Sequence, residues 1–132
     1  MKETVNRVAW DGEWYARATM DDGRFLGVKR EPMAKIWLNA QTWAVLSGMA
    51  PAQRAHQAMD SVRRYLNTPL GIKKIDPAMA DYPTPEDPLT YYNKGCGENG
   101  SVFCHANAWA VIAECFWAGA NAPGNITASF FP

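Results

Sequence analysis

The chain has 132 residues, of which 48% are apolar and 20% charged, so it has room for one domain and enough apolar side chains for a core. Thirteen basic and thirteen acidic residues cancel. That balance leaves no electrostatic footprint for nucleic acid or an anionic membrane surface. The longest apolar run, near residues 106–113, is too short to span a bilayer. Residues 1–4 carry no apolar stretch of the kind that targets secretion, and three cysteines make no disulfide framework. Both features predict a reducing, cytoplasmic setting.

Residues 14–20 and 24–28 read as two strands around Asp21-Asp22-Gly23, where the glycine supplies a positive φ. The expectation is a short hairpin or extended segment. Asn39 is a good N-cap for a helix over 40–48, with Trp43, Leu46 and Ala50 at helical spacing. Pro51 then opens a second helix over 51–66, whose Ala55, Met59, Val62 and Leu66 form one stripe. The prolines at 69, 77, 83, 85 and 88 forbid a long helix in the next stretch, read as loop. A last helix, 102–117, is apolar nearly all round and is predicted to be buried. It should stop at about 117–119. Six tryptophans is a rich supply, useful to sugar-binding clefts and to large helical cores alike. All charged residues fall between Lys2 and Glu114, which leaves the last 18 positions uncharged.

Among candidate chemical groups, His105 comes first. It opens the last helix directly after a glycine-rich turn, residues 95–100, and helix N-termini present free N–H groups to anions. An imidazole there could donate to a phosphate oxygen, although spacing alone favours a core histidine bonded to a carbonyl. Glu98, just before, is either a carboxylate able to accept from sugar hydroxyls or a first-turn acid that complements the helix dipole. Asp11 and Glu13 lie two apart on an extended segment and share a face, which suits a structural pair better than two carboxylates flanking a scissile bond. Cys96, Cys104, His105 and Cys115 match no zinc spacing, so no metal is expected. His56 sits off the apolar stripe of its helix and should be solvated.

The run Tyr92-Asn93-Lys94-Gly95-Cys96-Gly97-Glu98-Asn99-Gly100-Ser101-Val102-Phe103-Cys104-His105 resembles the cellobiose and chitobiose phosphorylases, glycoside hydrolase family 94. The stretches Trp10-Asp11-Gly12-Glu13-Trp14-Tyr15 with Arg17, Ile36-Trp37-Leu38-Asn39-Ala40-Gln41-Thr42-Trp43-Ala44 and Thr68-Pro69-Leu70-Gly71-Ile72 are similar to the same family. The resemblance implies a mainly α fold, part of an (α/α)6 barrel over residues 1–116. It also implies inverting phosphorolysis of a β-linked disaccharide, with inorganic phosphate as co-substrate and no cofactor, in a parent enzyme that is a homodimer. His105 matches the phosphate-binding histidine and Glu98 the acidic residue that lines the sugar site. The family's basic residue before the glutamate is Gly97 here, and its second glycine is Ser101.

The general acid of the family lies in a Trp-Asn-Asp motif, which these 132 residues do not contain, so it is expected upstream of Met1. A few helices cut from a toroid should leave faces uncovered, those of Trp37, Trp43 and Trp109 included. After Phe116 the family continues Leu-Gly-Arg-Gly. Back-translated and read one nucleotide earlier, residues 117–132 can give LGRGERAWKYYRQLLP, so this aberrant tail is expected to be a frameshift product. The related module of cyclic β-1,2-glucan synthases is the alternative within the family, although Phe103-Cys104 before His105 looks more like the disaccharide phosphorylases. The alternative from another class is a remnant that binds nothing.

Overall fold

The computed structural model describes residues 1–79 and 92–121, with side chains through residue 116. The proline-rich stretch 80–91 and the tail from 122 onward lie outside the described residues. Four helices and three two-stranded sheets make up the described chain. No helix among those residues is long and apolar enough to cross a membrane.

Helix α1 (Lys2–Val8) has no counterpart in the sequence reading. None of its residues is buried, so it lacks the apolar stripe from which a helix is read. What holds it is polar: Asn6 donates to the Met49 carbonyl at 3.0 Å and accepts from the Tyr15 hydroxyl at 2.7 Å. The hairpin over 14–29 is present as β1 (Ala18–Thr19) and β2 (Phe25–Leu26), antiparallel with Ala18 opposite Leu26. Gly23 sits in its turn at φ +82°, and Asp22 accepts from the Arg24 N–H at 2.9 Å.

Helix α2 departs from expectation. It spans Leu38–Leu46, two residues ahead of the predicted start, and Trp37 rather than Asn39 is its N-cap. The reason is a non-local pairing: β3 (Ile36–Trp37) is antiparallel to β6 (Ile75–Asp76), and the Leu38 N–H donates to the Lys74 carbonyl at 2.9 Å. That bond satisfies one of the four N–H groups that a helix start leaves without an intrahelical partner. Asn39 is left in the first turn, its Oδ1 buried and without a partner among the described residues. Helix α3 (Ala52–Tyr65) starts after Pro51 as read, and Ala55, Met59, Val62 and Leu66 are all buried. Within the stretch read as loop, β4 (Asn67–Thr68) and β5 (Gly71–Ile72) close a second hairpin.

Helix α4 spans Cys104–Asn121. It therefore begins two residues later than predicted and passes the expected stop at 117–119. Gly119 inside a helix costs only about 1 kcal/mol, less than a run of continued hydrogen bonds returns. Nor is α4 buried all round. Ala106, Ala110, Ala113 and Glu114 face the core, whereas His105, Ala108, Val111, Ile112, Cys115 and Phe116 are exposed.

The core joins α2, α3 and α4 through Leu38, Met59, Val62, Leu66, Ala106, Ala110 and Ala113, with Trp14, Ile36 and Ile72 from the connections. Alanines dominate the α4 side, so its axis can approach closely. The connections are pinned by side-chain amides that imitate a strand partner. Gln41 accepts from the Tyr15 N–H at 2.8 Å and donates to the Tyr15 carbonyl at 2.9 Å. Asn107 does the same for Ile72, with both bonds at 2.9 Å. Asn99 holds Met79, at 2.7 Å on the N–H and 3.3 Å on the carbonyl.

Of the three tryptophans expected to lie uncovered, Trp37 is in fact buried at 4% exposure, its indole N–H donating to the Ala34 carbonyl at 2.9 Å. Trp43 remains 46% exposed, while Trp109 is half-buried. Val111, Ile112 and Phe116 add an apolar strip along α4 on which the charge of Glu114, turned inward, does not appear. Contiguous exposed apolar surface of this kind drives association. The purified chain should therefore run larger than 14.7 kDa in light scattering at high concentration. A Val111→Ser, Ile112→Lys, Phe116→Ser triple variant should run as a monomer; an unchanged mass would show that this strip is not what associates.

Candidate functional site

The site is built where the second hairpin, the glycine-rich bend and the start of α4 meet. Gly95, Gly97 and Gly100 all have positive φ, at +80°, +49° and +85°. Such values let the bend reverse between Cys96 and Asn99, which pair as an isolated antiparallel bridge. The backbone of Lys74 ties this bend to α2: its N–H donates to the Ser101 carbonyl at 2.9 Å, while its carbonyl caps Leu38. Asn107, one turn into α4, fixes the same region to β5.

His105 is exposed in the first turn of α4, and its ring lies 4.3 Å from that of Trp109, tilted by 48°. Within the described residues His105 therefore lies outside the core. Trp109 in turn meets Trp43 edge-on at 5.2 Å, so a row of three rings runs from the helix start across to α2. Beside this row a cavity of about 370 Å³ is lined by Tyr15, Arg17, Asn39, Trp43, Met49 and Trp109 among others.

Glu98 is half-buried at the outside of the bend and forms an ion pair with the Lys74 ammonium. Lys74 is nearly buried, and its ammonium also sits 4.7 Å over the Phe103 ring. Burial pushes the Lys74 pKa down, and the positive charge of Arg17 pushes it further the same way. Glu98 thus precedes the helix start and His105 lies in its first turn, with the Lys74 ammonium reaching Glu98 and the Phe103 ring that stands between them in the chain. The sequence reading had singled out Glu98 and His105 as site residues, named Arg17 only within a family-like stretch, and passed over Lys74. Lys74 sits between β5 and β6, and the partner of β6 is the distant β3, so no local pattern marks it.

The remaining candidates serve structure. Asp11 Oδ2 accepts from the Lys29 N–H at 2.6 Å and Glu13 lies 3.2 Å from the Lys29 ammonium, so both carboxylates are held by one residue. His56 is exposed and lies 2.7 Å from Asp60 one turn along α3. Cys96, Cys104 and Cys115 are free thiols at exposed positions. Among the described residues no three His, Cys, Asp or Glu side chains gather closely enough to hold a metal ion.

The Glycosyl hydrolase 94 superfamily catalytic-domain model matches residues 1–122. Solabiose phosphorylase of Paenibacillus borealis is 38% identical over 115 residues, which is 87% of this chain and 15% of that protein. N,N'-diacetylchitobiose phosphorylase of Vibrio furnissii is 37% identical over 119 residues, 86% of this chain and 14% of the relative. A cyclic beta-(1,2)-glucan synthase, NdvB of Rhizobium meliloti, is 32% identical over 117 residues, 86% of this chain and 4% of the synthase. The chain thus spans 15% or less of the length of these relatives.

Proposed function

The chain belongs to the glycosyl hydrolase 94 superfamily, and from that membership we propose that it carries the phosphate- and sugar-facing loop of a glycoside phosphorylase, within part of an (α/α)6 barrel. The reaction is reversible phosphorolysis of a β-linked disaccharide with inversion. A phosphate oxygen attacks the anomeric carbon, the glycosidic C–O bond breaks, and a carboxylic acid protonates the leaving oxygen. The products are a sugar 1-phosphate and a free sugar.

In this reading His105 donates to the phosphate, and the free N–H groups of the first turn of α4 share its charge. Glu98 accepts from sugar hydroxyls. The general acid comes from sequence other than these 132 residues, which contain no Trp-Asn-Asp. The observation that carries the reading is the exposed His105 in the first turn of α4, with the Glu98-bearing glycine bend against the same helix start. The match to the glucan synthase supports a second reading of the same loop, as part of a module in an enzyme that builds cyclic β-1,2-glucans.

Calorimetric titration of the chain with inorganic phosphate tests the first. His105→Ala should weaken binding by about ten- to a hundredfold, since a hydrogen bond to a charged group contributes about 1.5–3 kcal/mol. The chain alone should also release no glucose 1-phosphate from cellobiose above a blank, because general acid catalysis supplies about 10²–10⁴-fold and the orienting residues of the whole site more. Phosphate affinity indifferent to His105, or turnover by the pure chain, would overturn the reading.

A further inference from the structure

We propose that Lys74 is the positioning residue for Glu98, the cation that fixes the carboxylate in the orientation from which it meets a sugar hydroxyl. The inference rests on the reading of Glu98 as a sugar contact and adds to it the residue that makes the contact reliable.

Glu98 stands on a glycine-rich bend whose backbone is closed by the Cys96–Asn99 bridge. A carboxylate on such a bend needs an outside partner to hold one rotamer, and its sequence neighbour is unable to provide one. Gly97 has φ +49°, and a Cβ there would lie 2.6 Å from the ring of Tyr92, so any side chain would be strained and would have to displace that ring. The cation comes instead from 24 positions upstream in the chain, on the connection between β5 and β6.

Three features suit Lys74 to the task. Its side chain is 11% exposed, so the ion pair to Glu98 is shielded on one side, whereas the Glu98 side chain is 35% exposed. Its ammonium rests over the Phe103 ring, which confines it without competing for the carboxylate. Its backbone is bonded both to α2 at Leu38 and to the bend at Ser101, so the pivot of the side chain moves with neither loop alone. A partly desolvated pair of this kind attracts more strongly than a surface one, and its geometry is correspondingly narrower.

The test uses the full chain with Lys74→Met, which keeps length and apolar stem, Lys74→Arg, which keeps the charge, and Glu98→Gln. Two readouts separate this proposal from the reading on which it rests. The first is the ¹³Cδ resonance of the Glu98 carboxylate, which should move in Lys74→Met and return towards its original position in Lys74→Arg. The second is calorimetric affinity for cellobiose and, separately, for inorganic phosphate. Lys74→Met should weaken cellobiose about tenfold, as should Glu98→Gln, and combining them should add little, while phosphate binding stays within about twofold. An unmoved Glu98 resonance, or cellobiose affinity that follows Glu98 but ignores Lys74, would overturn the proposal. A chain that binds no cellobiose while its Glu98 resonance follows Lys74 would instead overturn the sugar reading and leave the clamp standing.

Discussion

Replacing Gln41 by leucine should cost the fold about 2–4 kcal/mol, far more than a change of similar volume on a surface. Gln41 is fully buried, and its amide is the partner of both the N–H and the carbonyl of Tyr15, itself 2% exposed. Leucine fills the space and leaves those two backbone groups unpaired, each at a cost of about 1–3 kcal/mol. The same amide donates to the Trp37 carbonyl at 3.0 Å, so the residue that caps α2 loosens as well. Urea unfolding followed by tryptophan fluorescence would measure the loss. A midpoint within error of the parent chain would show that Tyr15 finds other partners.

Removing Arg63 should be comparably severe and should depend on pH. Glu114 is 3% exposed within α4, one oxygen 2.5 Å from the Arg63 guanidinium and the other buried with no partner among the described residues. Burial pushes the Glu114 carboxyl above its ordinary value, and Arg63 opposes that push. With the folded value raised, the folded state holds its proton more tightly than the unfolded chain does. The stability Glu114 contributes is complete below the unfolded carboxylate range and is lost as pH rises through the raised value. Arg63→Met leaves the charge uncompensated and extends that loss to higher pH. The variant should be destabilised by about 3 kcal/mol at pH 7 and by much less at pH 4, where Glu114 takes a proton. Equal losses at both pH values would remove Glu114 from the account. Asp60, 2.5 Å from the same guanidinium, and His56 beside it belong to the network, and Arg63 links α3 to α4 through it.

What the sequence could say followed the range of the interactions involved. Helix α3 was legible because one stripe of side chains both defines and buries it. The start of α2 was not, since the carbonyl that takes its first N–H belongs to Lys74, 36 residues away, and Asn39 looked like a cap only while that bond was out of sight. Helix α1 was missed because polar contacts from Asn6 hold it instead of an apolar face. For α4 the apolar pattern gave the helix but exaggerated its burial, since pattern alone does not tell a face that is covered from one that awaits a neighbour. At the site, the glycine bend and the histidine after it were visible as a run of letters. Lys74 became visible only once β3 had paired with β6.

The hold of Asn99 on Met79 bears on how the molecule ages. Asn99 precedes Gly100, the dipeptide in which the next backbone nitrogen most readily attacks the side-chain amide, closing a ring and expelling ammonia. In the folded chain that amide is 0% exposed and engaged with Met79 on both sides and with the Tyr92 carbonyl at 2.8 Å. The attack demands a rotation those bonds forbid, so deamidation proceeds through whatever fraction of molecules has let the bend open. Each conversion leaves an acid where a donor to two carbonyls had been, and a bend so altered closes poorly again. The lifetime of the glycine bend in storage is thereby tied to how often it opens, and mass spectrometry of aged protein counts those openings one mass unit at a time.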